Sequence, residues 1–519
     1  MNSKLDIDPG IVTACRAAAK RIADQVAEEI AGRTTVSVER SVTRLLGVDG
    51  ADSFEVPLPN VLIDQVHTRG ELGRGIAYWL GNAMIATERS PQQIAEAVSA
   101  GDLNLVELEL ADEPAIHERV LTECRTRLEE IRRRFAERAA MRERLSGSPS
   151  PMRYVLTATG DVYEDVVHAK AVAEAGGDIV AVIRSTAQSL LDYVPYGPTT
   201  EGYGGTFATQ ANFRIMREAM DEWSEEHGRY VRLSSFCSGL CMSEIASMGA
   251  WEGFDNMVND ALYGILYRDI NIVRGLIDQR ISRMINGYFG VVINTGEDNY
   301  LRTADAVEAA PSVTASQFIN HQLARDSGVP DAQIGLGDAF EIDVPVTNGL
   351  LYEWAQAQLT RELFPDCPVK YMPPTRHMDG NLFRTHAADT LFNLVTIATG
   401  QGIQTIGVPT EGIFTPHIHD RVLGLQNVDY VFNAARDLGE EIEFKRGGII
   451  QTRAQEVLAG AHEILERIAD EGLFEAIAKA TFGDVSRTVD EGRGLEGIVK
   501  TGDGYLNPVL QLMHEDSYV

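Results

Sequence analysis

Hydrophobic and polar positions follow three successive patterns along the chain. The first, from about Ile11 to Leu145, is typical of helices: it is Ala-rich at first, and from Glu113 onward it carries opposite charges at three- and four-residue spacing, as an exposed helix face does. The last, from about Asn427, is helical again and ends in a Gly-rich tail from Gly492 to Asn507. We therefore predict helical accessory regions at residues 1–150 and 427–519.

Between them, residues 151–426 alternate short apolar strands with helical stretches, after a linker-like SGSPSP segment. This alternation favours a parallel sheet whose strands are joined by crossover helices. Eight candidate strands begin near Arg153, Asp178, Tyr230, Phe254, Phe289, Gln333, Val369 and Gly402. Their mean spacing of about 36 residues suits a βαβ repeat. The predicted fold is α/β, a (β/α)8 TIM barrel wrapped by the two helical regions. The strand near Phe254 is the weakest of the eight, because FDNMVND is short and polar.

In such a barrel, binding and catalytic groups gather just past the carboxyl ends of the strands. Polar residues occupy these positions after most of the predicted strands: Arg184, Ser189, Ser238, Tyr263, Arg268, Asp298, Asn299, Lys370 and Glu411. We expect them to form one site. An open parallel sheet would also place polar residues there, so the pattern supports a site more firmly than it supports ring closure.

The stretch from Asp178 to Gly205 carries the most specific chemical signal. An apolar strand runs directly into a cluster of guanidinium, hydroxyl and amide groups: Arg184, Ser185, Thr186, Gln188 and Ser189. A planar Arg fork and several hydroxyls within a few positions suit a phosphate group. The alternative is an Arg that pairs with a neighbouring carboxylate on the barrel rim, and this segment alone does not decide between the two.

The composition limits the kinds of partner. A formal net charge of -30 and a pI of about 4.8 argue against a nucleic acid or an anionic membrane surface. No run of about 18 apolar residues occurs, and the start, MNSKLDIDPG, lacks the regions of a signal peptide, so we expect a soluble cytoplasmic protein. Five scattered cysteines are too few for a disulfide framework, which fits a reducing compartment.

Seven long segments carry a family resemblance. They are TATGDVYED, VIRSTAQSLLDYVPYG, SGLCMSEIA, DALYGILYRDIN, INTGEDNYLRTADA, LYEWAQAQLTRELFP and KYMPPTRHMDGN. These segments closely resemble the alpha subunit of the lysine 5,6-aminomutase family, and the similarity covers nearly the whole chain. The resemblance implies a TIM barrel and an isomerase that uses pyridoxal 5'-phosphate and adenosylcobalamin. It also implies radical 1,2-migration of the terminal amino group of D-lysine or L-β-lysine from C6 to C5.

The resemblance further assigns roles to single residues. The phosphate would be held by the segment Arg184, Ser185, Thr186, Ala187, Gln188 and Ser189. Ser238, Tyr263, Arg268 and Asn299 would contact the cofactor, with Tyr263 against the pyridine ring. Asp298 and Lys370 would face the substrate and the phenolic oxygen of the cofactor, and Glu411 would lie toward the deoxyadenosyl group. An acidic residue suits an ammonium substrate, and a cation beside the phenolate tunes the cofactor. The implied catalytic residues are therefore Asp298, Lys370 and Tyr263.

Two absences predict a partner subunit. Cobalamin domains of the mutase type use Asp-x-His-x-x-Gly, whereas the nearest segment here, Gln65 to Gly70, has Gln65 at the Asp position, which favours a surface His67 of no special role. Among the few lysines, only Lys370 lies where a Schiff base could form, yet in the family this lysine comes from a smaller, cobalamin-binding beta subunit. We expect an alpha2beta2 assembly and an inactive isolated chain.

Other readings make different predictions. Cys237, Cys241 and Glu244 begin like the Cys-x3-Cys-x2-Cys loop of radical S-adenosylmethionine enzymes, but Glu244 replaces the third Cys, which favours buried structural thiols. His417 and His419 could place two imidazoles on one side of a strand for a metal; a hydrogen-bonded His pair is the alternative, and no metal is expected.

Two further hypotheses concern function. The chain could be an ornithine 4,5-aminomutase component, although in that family the related barrel shares one longer polypeptide with its cobalamin domain. It could also be a non-catalytic barrel that binds pyridoxal phosphate or lysine, although a scaffold would not need so many polar groups at the strand ends.

Overall fold

The fold is described by a computed structural model, which covers residues 3–183, 188–297, 306–338, 346–373, 378–413, 415–482 and 485–516. Within these residues the strands are β1 Arg33–Thr35, β2 Met152–Leu156, β3 Ile179–Val182, β4 Arg232–Phe236, β5 Asn256–Val258, β6 Val292–Asn294, β7 Ile334–Gly335, β8 Gly337–Asp338, β9 Lys370–Tyr371, β10 Ile403–Thr405 and β11 Ile498–Lys500.

The helices alternate with the central strands and also flank them on both sides of the sequence. They are α1 Pro9–Ile30, α2 Val36–Leu45, α3 Leu58–His67, α4 Ile76–Thr87, α5 Pro91–Ser99, α6 Glu113–Arg144, α7 Val162–Glu174, α8 Gln210–His227, α9 Met242–Glu252, α10 Ala261–Tyr267, α11 Ile272–Tyr288, α12 Ala306–Asp326, α13 Gly349–Leu363, α14 Leu382–Thr399, α15 Ile418–Ala434, α16 Leu438–Glu441, α17 Ile449–Glu471, α18 Leu473–Ala478 and α19 Pro508–Asp516.

Strands β2 to β10 form one parallel sheet in the order β7-β6-β5-β4-β3-β2-β10-β9-β8. Only Leu336 separates β7 from β8, so these two are halves of one interrupted strand. The first half pairs with β6 and the second with β9, which closes the sheet into a ring of eight strand positions. The predicted TIM barrel is confirmed, and each of the eight predicted strand starts lies within three residues of an observed one.

The barrel has two apolar layers because successive strand residues face opposite sides of the sheet. A small cluster of Tyr154, Ile179, Ala181 and Ile403 fills the interior. A much larger cluster, including Val155, Val180 and Val182, joins the outer faces of the strands to the surrounding helices. All four residues of β3 are buried, as expected of a strand covered on both sides.

The flanking helical regions pack on the barrel and on each other. Helix α1 lies against α12 and α17, α2 lies against α9, and α19 lies against α6 and α11. Strand β1 pairs antiparallel with β11, so the two ends of the chain share a small sheet. These contacts bear out the prediction of extensions that wrap the barrel. The boundaries at residues 150 and 426 stay a prediction, and α15 extends across the second of them.

No helix among the described residues combines the length and apolar character needed to cross a bilayer. The five cysteines, Cys15, Cys124, Cys237, Cys241 and Cys367, are all buried free thiols. Each therefore packs as a small apolar side chain.

Candidate active site at the carboxyl ends of the strands

Apart from Lys370, which begins β9, the predicted site residues that the structure describes all lie beyond the carboxyl ends of barrel strands. Gln188 and Ser189 lie in a short helical turn after β3, Ser238 follows β4, Tyr263 and Arg268 lie on and just after α10, Lys370 lies in β9, and Glu411 follows β10. Because the strands are parallel, these positions share one rim. Arg184, Ser185, Thr186, Ala187, Asp298 and Asn299 lie outside the described residues, so their assigned roles stay predictions.

Tyr263 and Arg268 form a direct pair. Arg268 Nη2 donates to the Tyr263 hydroxyl at 2.7 Å, and the guanidinium carbon lies 4.9 Å from the centre of the tyrosine ring. The pair is held by Asp260 at the start of α10, whose carboxylate accepts from the backbone N–H groups of Leu262 and Tyr263 at 3.0 Å each. The result is a flat aromatic surface with a cation at its edge.

The turn after β6 is packed tightly against this helix start. Gly296 has φ of 84°, and a Cβ there would lie 2.4 Å from Asp260 Cβ, so this position requires glycine. The next residue, Glu297, is fully buried and accepts from the Gly337 backbone N–H at 2.9 Å, which ties the turn to β8. The turn that leads into Asp298 and Asn299 is therefore fixed on two sides.

The described end of the expected phosphate-binding segment, Gln188 and Ser189, is anchored through contacts with backbone groups. The Gln188 side-chain nitrogen donates to the Ala208 carbonyl, and the Gln188 side-chain oxygen accepts from the Ala208 N–H, both at 2.8 Å. This side chain therefore holds the segment in place. The Ser189 carbonyl accepts from the Leu240 N–H at 3.3 Å, which joins it to the segment that carries Ser238. Ser189 and Ser238 are 1% and 4% exposed, so this part of the rim is largely shielded from water.

Lys370 points into the barrel. Its Nζ lies 5.3 Å from the centre of the Tyr154 ring, which belongs to the interior cluster, and the residue is only 4% exposed. The Tyr154 hydroxyl in turn lies 3.2 Å from Ser234 Oγ on β4. A cation is thus held in the barrel interior, beside residues of β2 and β4.

Glu411 lies among other ionisable groups. Burial, and next the Glu411 carboxylate, raise the pKa of Asp389 well above its usual value, which favours a neutral Asp389. Burial lowers the pKa of Arg421 to about 10, although nearby carboxylates, including Asp165 and Glu411, oppose the shift. Arg421 donates to the carbonyls of Leu156 and Pro416 at 2.7 Å each, and so ties the loop that bears Glu411 to the end of β2.

Three residues of this rim were missed by the sequence reasoning: Asp260, Glu297 and Asp389. Asp260 had a usable signal, since an Asp between a strand and a helical run is a typical helix cap. Asp389 had none, because it lies in the middle of α14 and meets Glu411 only in the folded barrel.

Among the described residues, the segment with Cys237, Cys241 and Glu244 does not have the geometry of an iron–sulfur site. Cys237 donates to the Met242 carbonyl at 3.0 Å and Cys241 to the Leu191 carbonyl at 3.4 Å, while Glu244 accepts from Arg44 Nε at 3.0 Å. Burial, and next Glu244, raise the pKa of Cys241 well above its usual value, so the thiol form is favoured. These are structural contacts.

The expectation of a strand at His417 and His419 is wrong. His417 precedes α15 and His419 lies in its first turn, where residues two apart point to different sides of the helix. Gln65, the residue in place of the cobalamin-motif Asp, bonds the backbone of Leu103 and Leu105 at 3.1 and 2.9 Å, which is a structural role, and His67 beside it is partly buried.

One group of possible metal ligands, His321, Asp331 and Cys367, lies elsewhere, at the amino ends of β7 and β9. The same Asp331 oxygen accepts from His321 Nε2 at 3.1 Å and pairs with Arg325 Nη1 at 3.0 Å. A guanidinium on that oxygen competes with a cation, so we interpret this group as a hydrogen-bonded cluster.

Comparisons with known proteins agree with this architecture. The family described as "D-Lysine 5,6-aminomutase TIM-barrel domain of alpha subunit" matches residues 5–512. The chain is 51% identical over 513 residues to the lysine 5,6-aminomutase alpha subunit of Acetoanaerobium sticklandii, covering 99% of both chains. It is 52% identical over 511 residues to the alpha subunit of the same name from Fusobacterium nucleatum, covering 98% of this chain and 99% of that one.

A more distant relative is the D-ornithine 4,5-aminomutase subunit beta of Acetoanaerobium sticklandii, which is 26% identical over 377 residues, covering 70% of this chain and 50% of the relative. Near-complete coverage at about half identity, together with a barrel whose strand ends carry the predicted polar rim, leaves one conclusion. The chain belongs to the lysine 5,6-aminomutase alpha-subunit family, whose members are isomerases of the aminomutase type.

Proposed function

We propose that the chain is the barrel subunit of an aminomutase that moves the terminal amino group of D-lysine or L-β-lysine from C6 to C5. The observation that carries this proposal is the match, over 98–99% of the chain, to two alpha subunits named for lysine 5,6-aminomutase. The ornithine enzyme's subunit is matched at 26% identity and over only half of its own length, which favours lysine as the substrate.

The chemistry of the described rim fits pyridoxal 5'-phosphate. Tyr263 offers a flat ring, Arg268 a cation at its edge, and the expected cofactor-binding residues Ser189 and Ser238 lie in shielded segments. Lys370 supplies a cation inside the barrel that suits a phenolate oxygen. Charge-assisted hydrogen bonds to a phosphate contribute roughly 1.5 to 3 kcal/mol each, so a few of them hold it without a covalent bond.

In this proposal the residues of the chain bind, orient and shield. When bound, pyridoxal phosphate supplies a conjugated ring that carries the migrating nitrogen, and adenosylcobalamin supplies the radical that starts and ends the reaction. Tyr263 and Arg268 fix the plane of the ring, and Lys370 holds negative charge on the ring oxygen. The low exposure of Ser189, Ser238 and Lys370 keeps water away from a reactive centre.

We also propose that a cobalamin-binding beta subunit covers the barrel mouth, provides the lysine that holds the cofactor covalently, and assembles with the chain as alpha2beta2. The word "alpha" in the relatives' names supports a partner. So do exposed apolar side chains on the segments that follow four neighbouring strands, β3, β2, β10 and β9, in loops or in the first turns of helices. They include Tyr163 at 54%, Tyr203 at 86%, Phe383 at 92% and Ile413 at 56% exposed.

The test is a substrate screen of the complex reconstituted with its beta subunit and both cofactors. We expect turnover of D-lysine or L-β-lysine, detected as the 5-amino product, and little or none of D-ornithine. Turnover of D-ornithine alone would defeat the assignment. A complex that binds pyridoxal phosphate but converts none of the three would favour a non-catalytic binding role.

A further inference from the structure

Asp192 is one point at which the chain just after the expected phosphate-binding segment is attached to the rest of the protein. It closes the short stretch Gln188 to Asp192, which directly follows Arg184 to Ala187 in the chain. Both carboxylate oxygens accept from Arg274, from Nη2 at 2.7 Å and from Nη1 at 3.0 Å. Arg40 from α2 lies 3.1 Å from the same carboxylate. Burial opposes ionisation of Asp192, but Arg274 and then Arg40 outweigh it and lower its pKa.

Arg274 uses all five of its N–H donors. Besides the two bonds to Asp192, Nη2 donates to the Leu240 carbonyl at 2.8 Å, Nη1 to the Gly494 carbonyl at 3.1 Å, and Nε to Asp278 at 2.9 Å. The side chain is fully buried. One guanidinium therefore connects the segment after β3, the segment after β4 and the Gly-rich tail to α11.

The backbone of the tail glycines packs closely against the Arg274 guanidinium and against Leu240. A Cβ at Gly497 would lie 2.3 Å from Arg274 Nη1, and a Cβ at Gly494 would lie 2.5 Å from Leu240 Cδ2. The tail thus packs its bare backbone against Arg274 and Leu240. This gives the Gly-rich sequence at the end of the chain a structural purpose that its composition alone did not reveal.

The two rim segments that Arg274 holds are the ones that carry Ser189 and Ser238. They are also joined to each other by the bond from the Leu240 N–H to the Ser189 carbonyl. We propose that Arg274, acting through Asp192 and the Leu240 carbonyl, is a positioning residue that sets the places of the segments carrying Ser189 and Ser238 for phosphate binding. This inference rests on the proposed use of pyridoxal phosphate, because its effect is expressed in how tightly the phosphate is held.

A purely structural ion pair would have a different signature. Loss of general stability would weaken every ligand of the barrel alike, whereas misplacement of the phosphate segment would weaken only a ligand that carries the phosphate. Pyridoxal and pyridoxal 5'-phosphate differ by that group alone. The ratio of their dissociation constants therefore separates positioning from mere stability.

The experiment uses the complex of the full chain with its beta subunit, with the two ligands titrated separately and followed by cofactor absorbance. The first variant is Arg274→Lys, which keeps the positive charge but loses the planar guanidinium fork. The second is Asp192→Asn, in which the new side chain has nearly the same shape as the partly exposed Asp192 but no charge. We expect each to raise the Kd of pyridoxal 5'-phosphate roughly tenfold or more, as expected for one lost or misaligned charge-assisted bond, with the Kd of pyridoxal little changed.

The matched control is Arg217→Lys at the opposite end of the same strands. Arg217, 4% exposed, pairs with Asp255 at 3.1 Å and donates to the Val231 carbonyl at 3.1 Å, just before β5 and β4. It should lower the melting temperature as Arg274→Lys does, yet leave both dissociation constants unchanged. If Arg274→Lys does not fold, Asp192→Asn still carries the test.

An unchanged Kd of pyridoxal 5'-phosphate in Asp192→Asn and Arg274→Lys would overturn the inference, as would a parallel loss of both ligands. Failure of the proposed function looks different. In that case the unmodified complex would not prefer pyridoxal 5'-phosphate over pyridoxal, and Arg184→Ala would have no effect on the preference.

Discussion

At the scale of single residues, the buried carboxyl of Asp338 in the barrel wall both forms a hydrogen bond and has a raised pKa. Asp338, at the end of β8, is fully buried and accepts from Gln356 of α13 at 3.3 Å. Burial raises its pKa to about 7, and the nearby Glu297 adds to the effect, while hydrogen bonds to polar side chains of the helix layer oppose it. Between about pH 4 and 7 the folded protein therefore binds a proton at Asp338 that the unfolded chain has already lost.

This predicts a pH dependence of stability. An unfolded Asp has a pKa of about 3.9, so stability from this group is full below about pH 4, declines as the pH rises toward 7, and is constant above. The decline is at most about 1.4 kcal/mol per pH unit. Asp338→Asn removes this titrating group. The unfolding free energy of the variant, relative to that of the unmodified protein, should therefore rise between pH 5 and 8. Denaturant titrations at several pH values measure this.

The exposed Asp503→Asn serves as the control and should track the unmodified protein. If the curves of Asp338→Asn and the unmodified protein run parallel between pH 5 and 8, the protonation assigned to Asp338 is wrong.

At the scale of elements, the start of α11 is where the barrel meets the carboxyl-terminal tail. The Asn271 side-chain oxygen accepts from the N–H groups of Val273 and Arg274 at 3.0 and 3.1 Å. Its amide nitrogen donates to the carbonyls of Val489 and Glu491 at 2.7 Å each. One side chain thus caps the helix that carries Arg274 and also fastens the tail beside it.

Asn271→Ala should cost more than an ordinary helix cap. Loss of a cap typically destabilises by about 0.5 to 2 kcal/mol, and here two bonds to the tail are lost as well. The comparison is Asn381→Ala, which removes the exposed cap of α14, bonded only to the Arg384 N–H among the described contacts. We expect a larger fall in unfolding free energy for Asn271→Ala, measured by denaturant titration, and new protease cleavage near residues 489–500. Equal losses without new cleavage would show that the tail does not depend on Asn271.

The elements of the barrel were predictable because each is specified locally. Apolar runs such as Ile179–Val182 end at polar residues, and the polar residues after them mark the rim. What could not be predicted are the contacts that join distant parts of the chain. The pairing of β1 with β11, the bonds from Arg274 to Asp192 and Gly494, and the meeting of Asp389 with Glu411 leave no periodic trace in the sequence.

At the scale of the whole molecule, the barrel presents shielded polar groups and an exposed apolar rim on the same face. Lys370 lies inside the barrel beneath that face, where it could in principle bond to the cofactor. In the proposed arrangement, however, a lysine of the beta subunit attaches the cofactor covalently. Borohydride reduction of the complex loaded with pyridoxal 5'-phosphate, followed by peptide mass spectrometry, should therefore place the label on the beta subunit.

The control is the same treatment of Lys370→Met, in which labelling of the beta subunit should persist with reduced cofactor affinity, because the cation that faces the ring oxygen is lost. Stable labelling of Lys370 in the unmodified complex would contradict the division of labour between the two subunits.

The pairing of β1 with β11, and the bond from Arg274 to Gly494, have a consequence for biogenesis. Residues 494–500 complete contacts that begin at residues 33–35 and 274. A ribosome must therefore translate through residue 500 before all of these contacts can form. A product that terminates before residue 494 would lack this support of the rim, so the fold itself discriminates against such a product.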